Sequence, residues 1–228
     1  MLILGIEAAT RVASVAVISE EKILAEISQE ARLTHSETLL PQIEQVLKIA
    51  GVERVDAVAV SLGPGSFTGL RIGLATAKAL AYAWQIKILG VPTLQAIAYH
   101  FPTSSATVLP MLDAQKNRAY VQAFRAGAPV SKLEVKPVDE IATSAGSIDG
   151  EVFLCGDVLG KIKVPLPPNV KIAPVNLRMP RAVNVALCGK FLLDAGEISN
   201  VMNLEPLYVR RSEAEELWER RQKLSSEK

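Results

Sequence analysis

Small residues recur at every fourth position of one segment: Gly69, Gly73, Ala77 and Ala81. At 3.6 residues per turn they fall on one stripe of a helix. Only backbone and methyl groups would then stand between that helix and whatever lies against it, so the neighbour must come unusually close. Leu70 and Leu74 flank the stripe and supply apolar area. The spacing predicts a helix over Phe67–Trp84, and two neighbours suit it: the domain's own interior, or a second subunit. On the second reading, Gly73→Leu leaves the monomer folded and blocks association.

A strand, Val55–Ser61, and the turn "GPGSFTG" precede the helix. Gly63 and Gly65 permit close backbone approach. N–H groups near Ser66 and Phe67 would point out of the helix start, where an anion is favoured. The pattern is neither G-x-x-x-x-G-K-[ST] nor G-x-G-x-x-G, and it holds no lysine. A structural strand-to-helix turn and an anion site are both open readings.

Around this unit the periodicity alternates. Leu2–Glu7, Val12–Ser19 and Lys22–Ile27 read as three strands close enough to pair as an antiparallel meander. Leu39, Leu40, Ile43, Val46, Leu47 and Ala50 then fall at helical spacing, with Ser36 or Thr38 as N-cap and Gly51 as the stop. Pro41 sits best if Thr38 is the cap; Ser36 as cap implies a kink. Ile86–Val91 reads as a strand and "TLQAIAYHF" as a short helix. The first half is therefore β-β-β-α-β-α-β-α, a mixed sheet flanked by helices.

The stretch "FPTSSAT", residues 101–107, is a linker, and a new strand, Val108–Asp113, follows it. "ILGIEAATRVASVAVI" and "VLPMLDAQKNRAYVQAF" share one design: an apolar strand ending in a carboxylate (Glu7 or Asp113), a polar turn with a basic residue, and a second strand. This reads as an internal duplication, two domains of similar plan that each aim an acid at a shared cleft. Further on, Lys132–Val135, Glu151–Cys155 and Val170–Ala173 read as strands, and Arg181–Ala195 as a helix stopped by Gly196. The expected division is 1–101, 107–211 and a charged tail helix, 212–228. That helix opens on the capping-box pair Ser212 and Glu215, and it carries Ala214, Leu217, Trp218 and Leu224 along one side.

Several classes of function are disfavoured. With 25 basic and 24 acidic side chains, no global field exists to hold nucleic acid, although Arg210, Arg211, Arg220 and Arg221 are candidate phosphate contacts on a solvated face. Cys155 and Cys188 form no CxxC motif and read as buried thiols in a reducing cytosol. No uninterrupted apolar run reaches the ~18 residues of a membrane span, and the N-terminus makes a poor signal peptide, so the expected place is the cytoplasm. The two histidines are His35 and His100; Leu39 stands where a His-x-x-x-His partner of His35 would be, so no metal site is expected. No G-x-S-x-G elbow supports a serine hydrolase. Glu7 and Asp113, at strand ends, could hold Mg²⁺ through water or act as base and acid.

Taken together, "GIEAATRVASVAV", "LTHSETLLPQIEQVL", "SLGPGSFTGLRIGLATAKALA", "VPTLQAIA", "MLDAQKNRAYVQAF", "LCGDV" and "EPLYVRR" resemble the TsaB (YeaZ) family. These stretches run from Gly5 to Arg211. The resemblance implies an actin-like, ribonuclease H-like fold of two related α/β subdomains around a cleft, each with a mixed sheet opened by an antiparallel hairpin. It also implies a nucleotide site in degenerate form, at Glu7, Thr10, Gly63, Gly65, Ser66, Asp113 and Gly156, the last within "CGDV". Glu7 stands where such folds carry aspartate, and Ala9 and Thr10 stand where a glycine is expected. The implied role is a non-catalytic scaffold and activator that dimerises with TsaD in making N6-threonylcarbamoyladenosine on tRNA, joined by the ATPase subunit TsaE. In isolation it would homodimerise, and tRNA contact would be confined to the complex. No cofactor is implied for this subunit beyond weak ADP or ATP at a subunit interface, and no membrane is involved. The implied interface is Leu39, Leu40, Ile43, Gly69, Leu70, Gly73, Leu74, Ala77 and Ala81. An active ATPase or small-molecule kinase of the same fold is the alternative reading, and a peptidase the third.

Overall fold

The computed structural model describes residues 1–30 and 35–209, with His35 described by its backbone alone. The expected tail helix, 212–228, and the arginines at 210, 211, 220 and 221 lie outside the described residues.

The chain forms β1 (Ile3–Glu7), β2 (Val12–Ile18), β3 (Ile23–Glu30), α1 (His35–Ala50), β4 (Ala57–Gly63), α2 (Phe67–Trp84), β5 (Lys87–Pro92) and α3 (Thr93–Ala98). It continues through β6 (Thr107–Asp113), β7 (Arg118–Val121), the two-residue strands β8 (Phe124–Arg125) and β9 (Ala128–Pro129), β10 (Glu134–Pro137), α4 (Val138–Ser144), β11 (Val152–Gly156), β12 (Val170–Ile172) and α5 (Ala182–Asp194).

The first sheet has the order β3-β2-β1-β4-β5, with β1–β2–β3 antiparallel and β1–β4–β5 parallel. The second repeats that plan as β10-β7-β6-β11-β12, again with a hairpin on one side of the founding strand and parallel partners on the other. The duplication read from the two hairpins is therefore present in the topology. It is imperfect. Where α2 joins β4 to β5, a single 3₁₀ turn (Leu159–Lys161) and a proline-rich loop join β11 to β12.

Alternation along β1 sorts the core. Leu4 and Ile6 face α1 and α2, joined by Val15, Val17, Leu39, Ile43, Val46, Leu74, Ala77 and Ala81. Ile3 faces the other way, into a layer with Ala57, Ala59, Val185 and Ala186. That second layer is built by α5. The expected subdomain 107–211 includes α5, yet α5 packs on the first sheet. Gly5 and Gly189 let it come close: a Cβ on Gly5 would strike the Ala182 carbonyl oxygen, and one on Gly189 would lie 2.5 Å from the Ala59 methyl carbon. Residues 199–208 also return to the first lobe. Ser199 bridges Ile88, Leu207 N donates to the Leu62 carbonyl at 2.7 Å, and Tyr208 stacks on Phe67 at 4.4 Å.

The start of α5 is capped by tertiary contacts. Its own preceding residue, Arg181, makes no side-chain cap bond. Instead Ala182 N donates to Ser14 Oγ at 3.1 Å and Val183 N to Glu26 Oε1 at 3.3 Å, while the Arg181 guanidinium pairs with Glu26 Oε2. Glu26→Ala removes one cap acceptor and the partner of Arg181. It is expected to lower stability by about 2 kcal/mol in urea unfolding.

The structure places α2 over the predicted residues, with Ser66 as N-cap accepting from Gly69 N at 3.2 Å. The expected start of α1 is corrected. The helix begins at His35, ahead of both Ser36 and Thr38, and Pro41 lies inside it. The short helix expected from "TLQAIAYHF" ends at Ala98, and α4 is a helix that the periodicity did not reveal.

Candidate functional site

At the end of β1 the chain turns through Ala8–Arg11 into β2. Glu7 sits at the head of that turn with no solvent exposure. Its Oε1 accepts from Ala9 N at 2.6 Å, and its Oε2 is buried with no hydrogen-bond partner. Burial pushes the carboxyl up to about 7, against the Ala9 N–H and the Ser61 hydroxyl, which favour the ionised form. Thr10 is buried too, and its Oγ1 accepts from Val12 N at 3.2 Å, closing the turn on itself. Neither side chain presents itself to a ligand in solvent.

The "GPGSFTG" turn lies directly on this hairpin. Ser66 N donates to the Ala9 carbonyl at 2.6 Å. A Cβ on Gly65 would collide with that same carbonyl oxygen and lie 2.8 Å from the Ala9 methyl carbon. Gly63, at φ +115°, donates through its N–H to Thr93 Oγ1 at 3.1 Å. Gly63, Gly65 and Ser66 therefore serve backbone-to-backbone packing and a helix cap. The close approach permitted by glycine is made to the protein's own first hairpin.

The second hairpin is more open. Asp113 and Asp157 are exposed at the ends of β6 and β11. Asp113 Oδ1 accepts from Gln115 N at 2.9 Å, its Oδ2 pairs with Lys161 Nζ at 2.8 Å, and its N–H donates to Asp157 Oδ1 at 2.9 Å. Although Asp157 reaches the surface, its carboxyl is partly buried beneath it, and that desolvation, followed by the Asp113 charge, holds it above the ordinary aspartate range. Gln115, Lys116 and Asn117 all take positive φ, a run L-residues rarely adopt. Gly156, at φ +116°, is paired so tightly with β6 that a Cβ would overlap the Met111 carbonyl. Sequence reasoning missed Lys161 and Asp157 as the partners of Asp113. The adjacency of "CGDV" to a lysine four residues beyond Asp157 was the available signal.

The expected interface residues need correction. Leu39, Ile43, Gly69, Leu70, Gly73, Leu74, Ala77 and Ala81 are all buried within the single chain. The stripe lies on the protein's own sheet and first turn: a Cβ on Gly73 would stand 3.1 Å from the Ala8 methyl carbon and 3.9 Å from Ile6 Cγ2 and Val60 Cγ2. Only Leu40 of the nine faces out, 53% exposed. Large apolar side chains exposed elsewhere on these two helices include Ile49 and Tyr82. Periodicity identifies a stripe that must be covered but not what covers it.

Among the described residues no group of three or more His, Cys, Asp or Glu side chains could hold a metal ion. No helix among them is long and apolar enough to cross a membrane.

A family model described as TsaD, tRNA N6-adenosine threonylcarbamoyltransferase, matches residues 22–147. The chain is 28% identical to the tRNA threonylcarbamoyladenosine biosynthesis protein TsaB of Bacillus subtilis, covering 98% of this chain and 100% of that one. It is 36% identical to the protein of the same name from Escherichia coli over 124 residues, 53% of each chain, so that match spans about half the relative's length. Among solved structures, YeaZ from Pseudomonas aeruginosa superposes with a TM-score of 0.76 at 24% identity, covering 91% of this chain and 99% of that one. An ROK hexokinase from Thermus thermophilus superposes at 0.53 and 13% identity, covering 85% and 100%. These two likenesses concern the fold.

Proposed function

Since the chain belongs to the TsaD/TsaB (YeaZ) family of the actin-like superfamily, we propose that it takes part in tRNA threonylcarbamoyladenosine biosynthesis as a non-catalytic scaffold and activator that dimerises with TsaD. One observation carries the non-catalytic part. At the first hairpin the chain itself fills the place where this fold would hold phosphate, with Ala9 and Ser66 closing the turn over a buried Glu7; at the more open second hairpin Asp113 pairs with Lys161. An acid with no route to solvent cannot serve a reaction in the cleft.

In this reading the docking face is on the outward side of α1 and α2, where Leu40 and Tyr82 are 53% and 67% exposed. Apolar side chains so exposed on neighbouring helices suit a partner's apolar surface. TsaE joins that assembly, the lone protein homodimerises through the same face, and tRNA is contacted only within the complex. No cofactor is required by this subunit, and any ADP or ATP it meets binds weakly at a subunit interface. The cytoplasm is its compartment.

Reconstitution tests the reading. Mixed with TsaD, TsaE, ATP and unmodified tRNA, the chain is expected to be required for threonylcarbamoyladenosine formation, scored by nucleoside analysis. Leu40→Asp combined with Tyr82→Asp is expected to weaken association with TsaD by at least ~100-fold while leaving monomer stability within about 0.5 kcal/mol of the parent. Full product without this chain would sink the scaffold role. ATP turnover by the lone protein, abolished by Glu7→Gln, would establish the kinase or ATPase alternative.

A further inference from the structure

The strap of residues 199–208 runs along one flank of α2 and holds Arg71 in a fixed pose. Lys78 Nζ donates to the Met202 carbonyl at 3.0 Å and to the Leu204 carbonyl at 3.2 Å, pinning the middle of the strap. Leu204 packs beside Gly90, where a Cβ would lie 3.0 Å from Leu204 Cδ1. Leu207 N donates to the Leu62 carbonyl at 2.7 Å, and the next residue, Tyr208, stacks on the Phe67 ring at 4.4 Å. The Arg71 guanidinium lies over the same ring at 4.1 Å, and its Nε donates to Tyr208 Oη at 2.9 Å. A guanidinium carries several N–H donors, and Tyr208 engages one of them. Among the described residues nothing accepts from the rest, and Arg71 is exposed.

The charges around this stack are one-sided. The basic side chains of α2 are Arg71 and Lys78, and the helix carries no acid. Lys78 is engaged by the strap, and Glu205, the acid of the strap, forms no ion pair among the described residues. Arg71, Ala75, Ala79 and Tyr82 are exposed along one side of α2. Arg71 and Tyr82 therefore stand about 16 Å apart, at the two ends of one face. From this geometry we infer that Arg71 is set to receive a carboxylate of the partner subunit, carried among apolar side chains that cover Tyr208 and the alanines. Stacking on Phe67 and the bond to Tyr208 fix the guanidinium before the partner arrives, so less side-chain freedom is lost on pairing. The planar fork then takes a carboxylate through two parallel bonds. An RNA phosphate would match the fork as well, but its surroundings here are aromatic rings and methyl groups, with the nearby Lys78 already held by carbonyls. Tyr208 is in this scheme a positioning residue.

The inference rests on the reading of α1 and α2 as the face that docks TsaD, and the two fail in different ways. Association with purified TsaD is measured for the parent chain, Arg71→Met, Arg71→Lys and Tyr208→Phe, each at about 50 and about 500 mM salt. Arg71→Met keeps an unbranched stem over Phe67 and removes the charge. It is expected to weaken association about 20-fold at low salt and less than about fourfold at high salt, because salt screens a charge pair at the end of a face. Arg71→Lys keeps the charge and loses the fork, and is expected to fall between Arg71→Met and the parent. Tyr208→Phe keeps the stack and removes the acceptor that fixes Arg71, with an expected loss of about threefold at low salt. Urea midpoints close to the parent's show that these losses are not unfolding, and if Arg71→Met lowers its midpoint, Arg71→Lys and Tyr208→Phe carry the comparison. Association of the variants equal to the parent's would overturn the inference and leave the docking face standing. So would a loss of the same size at both salt concentrations, which marks packing rather than charge. So would Arg71 variants that bind TsaD normally but no longer bind tRNA, which marks a phosphate contact. A parent chain that does not associate with TsaD would remove the docking reading, and the inference with it.

Discussion

Gly73→Leu is expected to destabilise the isolated chain by about 3 kcal/mol, seen as a lower urea midpoint with an unchanged slope. The Cβ alone would come within 3.1 Å of the Ala8 methyl carbon. The remaining three carbons of leucine have Ile6 and Val60 in front of them, both without solvent exposure. Overpacking of this size costs roughly 4 kcal/mol, and replacing a mid-helix glycine returns about 1. The result separates the two readings of the small-residue stripe. A stripe in the monomer core gives an unstable monomer, whereas a stripe at a subunit interface gives a stable monomer that fails to associate. An unchanged midpoint with lost association would restore the interface reading and contradict the burial of Gly69, Gly73, Ala77 and Ala81.

Glu7→Gln is expected to stabilise the chain at pH 8 by about 3 kcal/mol and to leave it unchanged at pH 4. The sign follows from the direction of the shift. The carboxyl titrates near 4.5 when unfolded and near 7 in the fold, because burial opposes its charge. Below pH 4.5 both states hold the proton and stability is full. Between 4.5 and 7 the unfolded chain gives up its proton first, so stability falls. Above 7 the loss is complete, at about 1.4 kcal/mol per pH unit across that window. Glutamine cannot ionise and escapes the loss. Urea midpoints of both chains at four or five pH values measure it, and a difference that did not grow between pH 4 and 8 would show that Glu7 is not held neutral.

Both predictions concern places where local pattern and tertiary context part company. The strand–turn–helix unit around Gly63–Ser66 was legible because its parts are local: alternation for β4, a glycine turn, a serine cap, and a 3.6 period for α2. The repeated hairpin was legible for the same reason, and it carried the two-lobed topology with it. The resemblance of the motifs to a known family rested on those same contiguous stretches.

What the chain order concealed is which surfaces meet. Nothing local to "AVNVALCGKFLLD" says that α5 leaves the second lobe to cover the first sheet. That follows from a bare face of small residues, Gly5, Ala57 and Ala59, which only close approach can bury. Nothing local to Glu7 says that its carboxyl is sealed, because the turn at Ala9 is closed by Ser61 and Ser66, more than fifty positions away. The amino-acid sequence by itself determined the periods, the turns and the kinds of side chain available, since these depend on neighbours along the chain. Only the tertiary structure decided that the small-residue stripe is core and that the first acid is a buried brace, since both depend on contacts between distant segments.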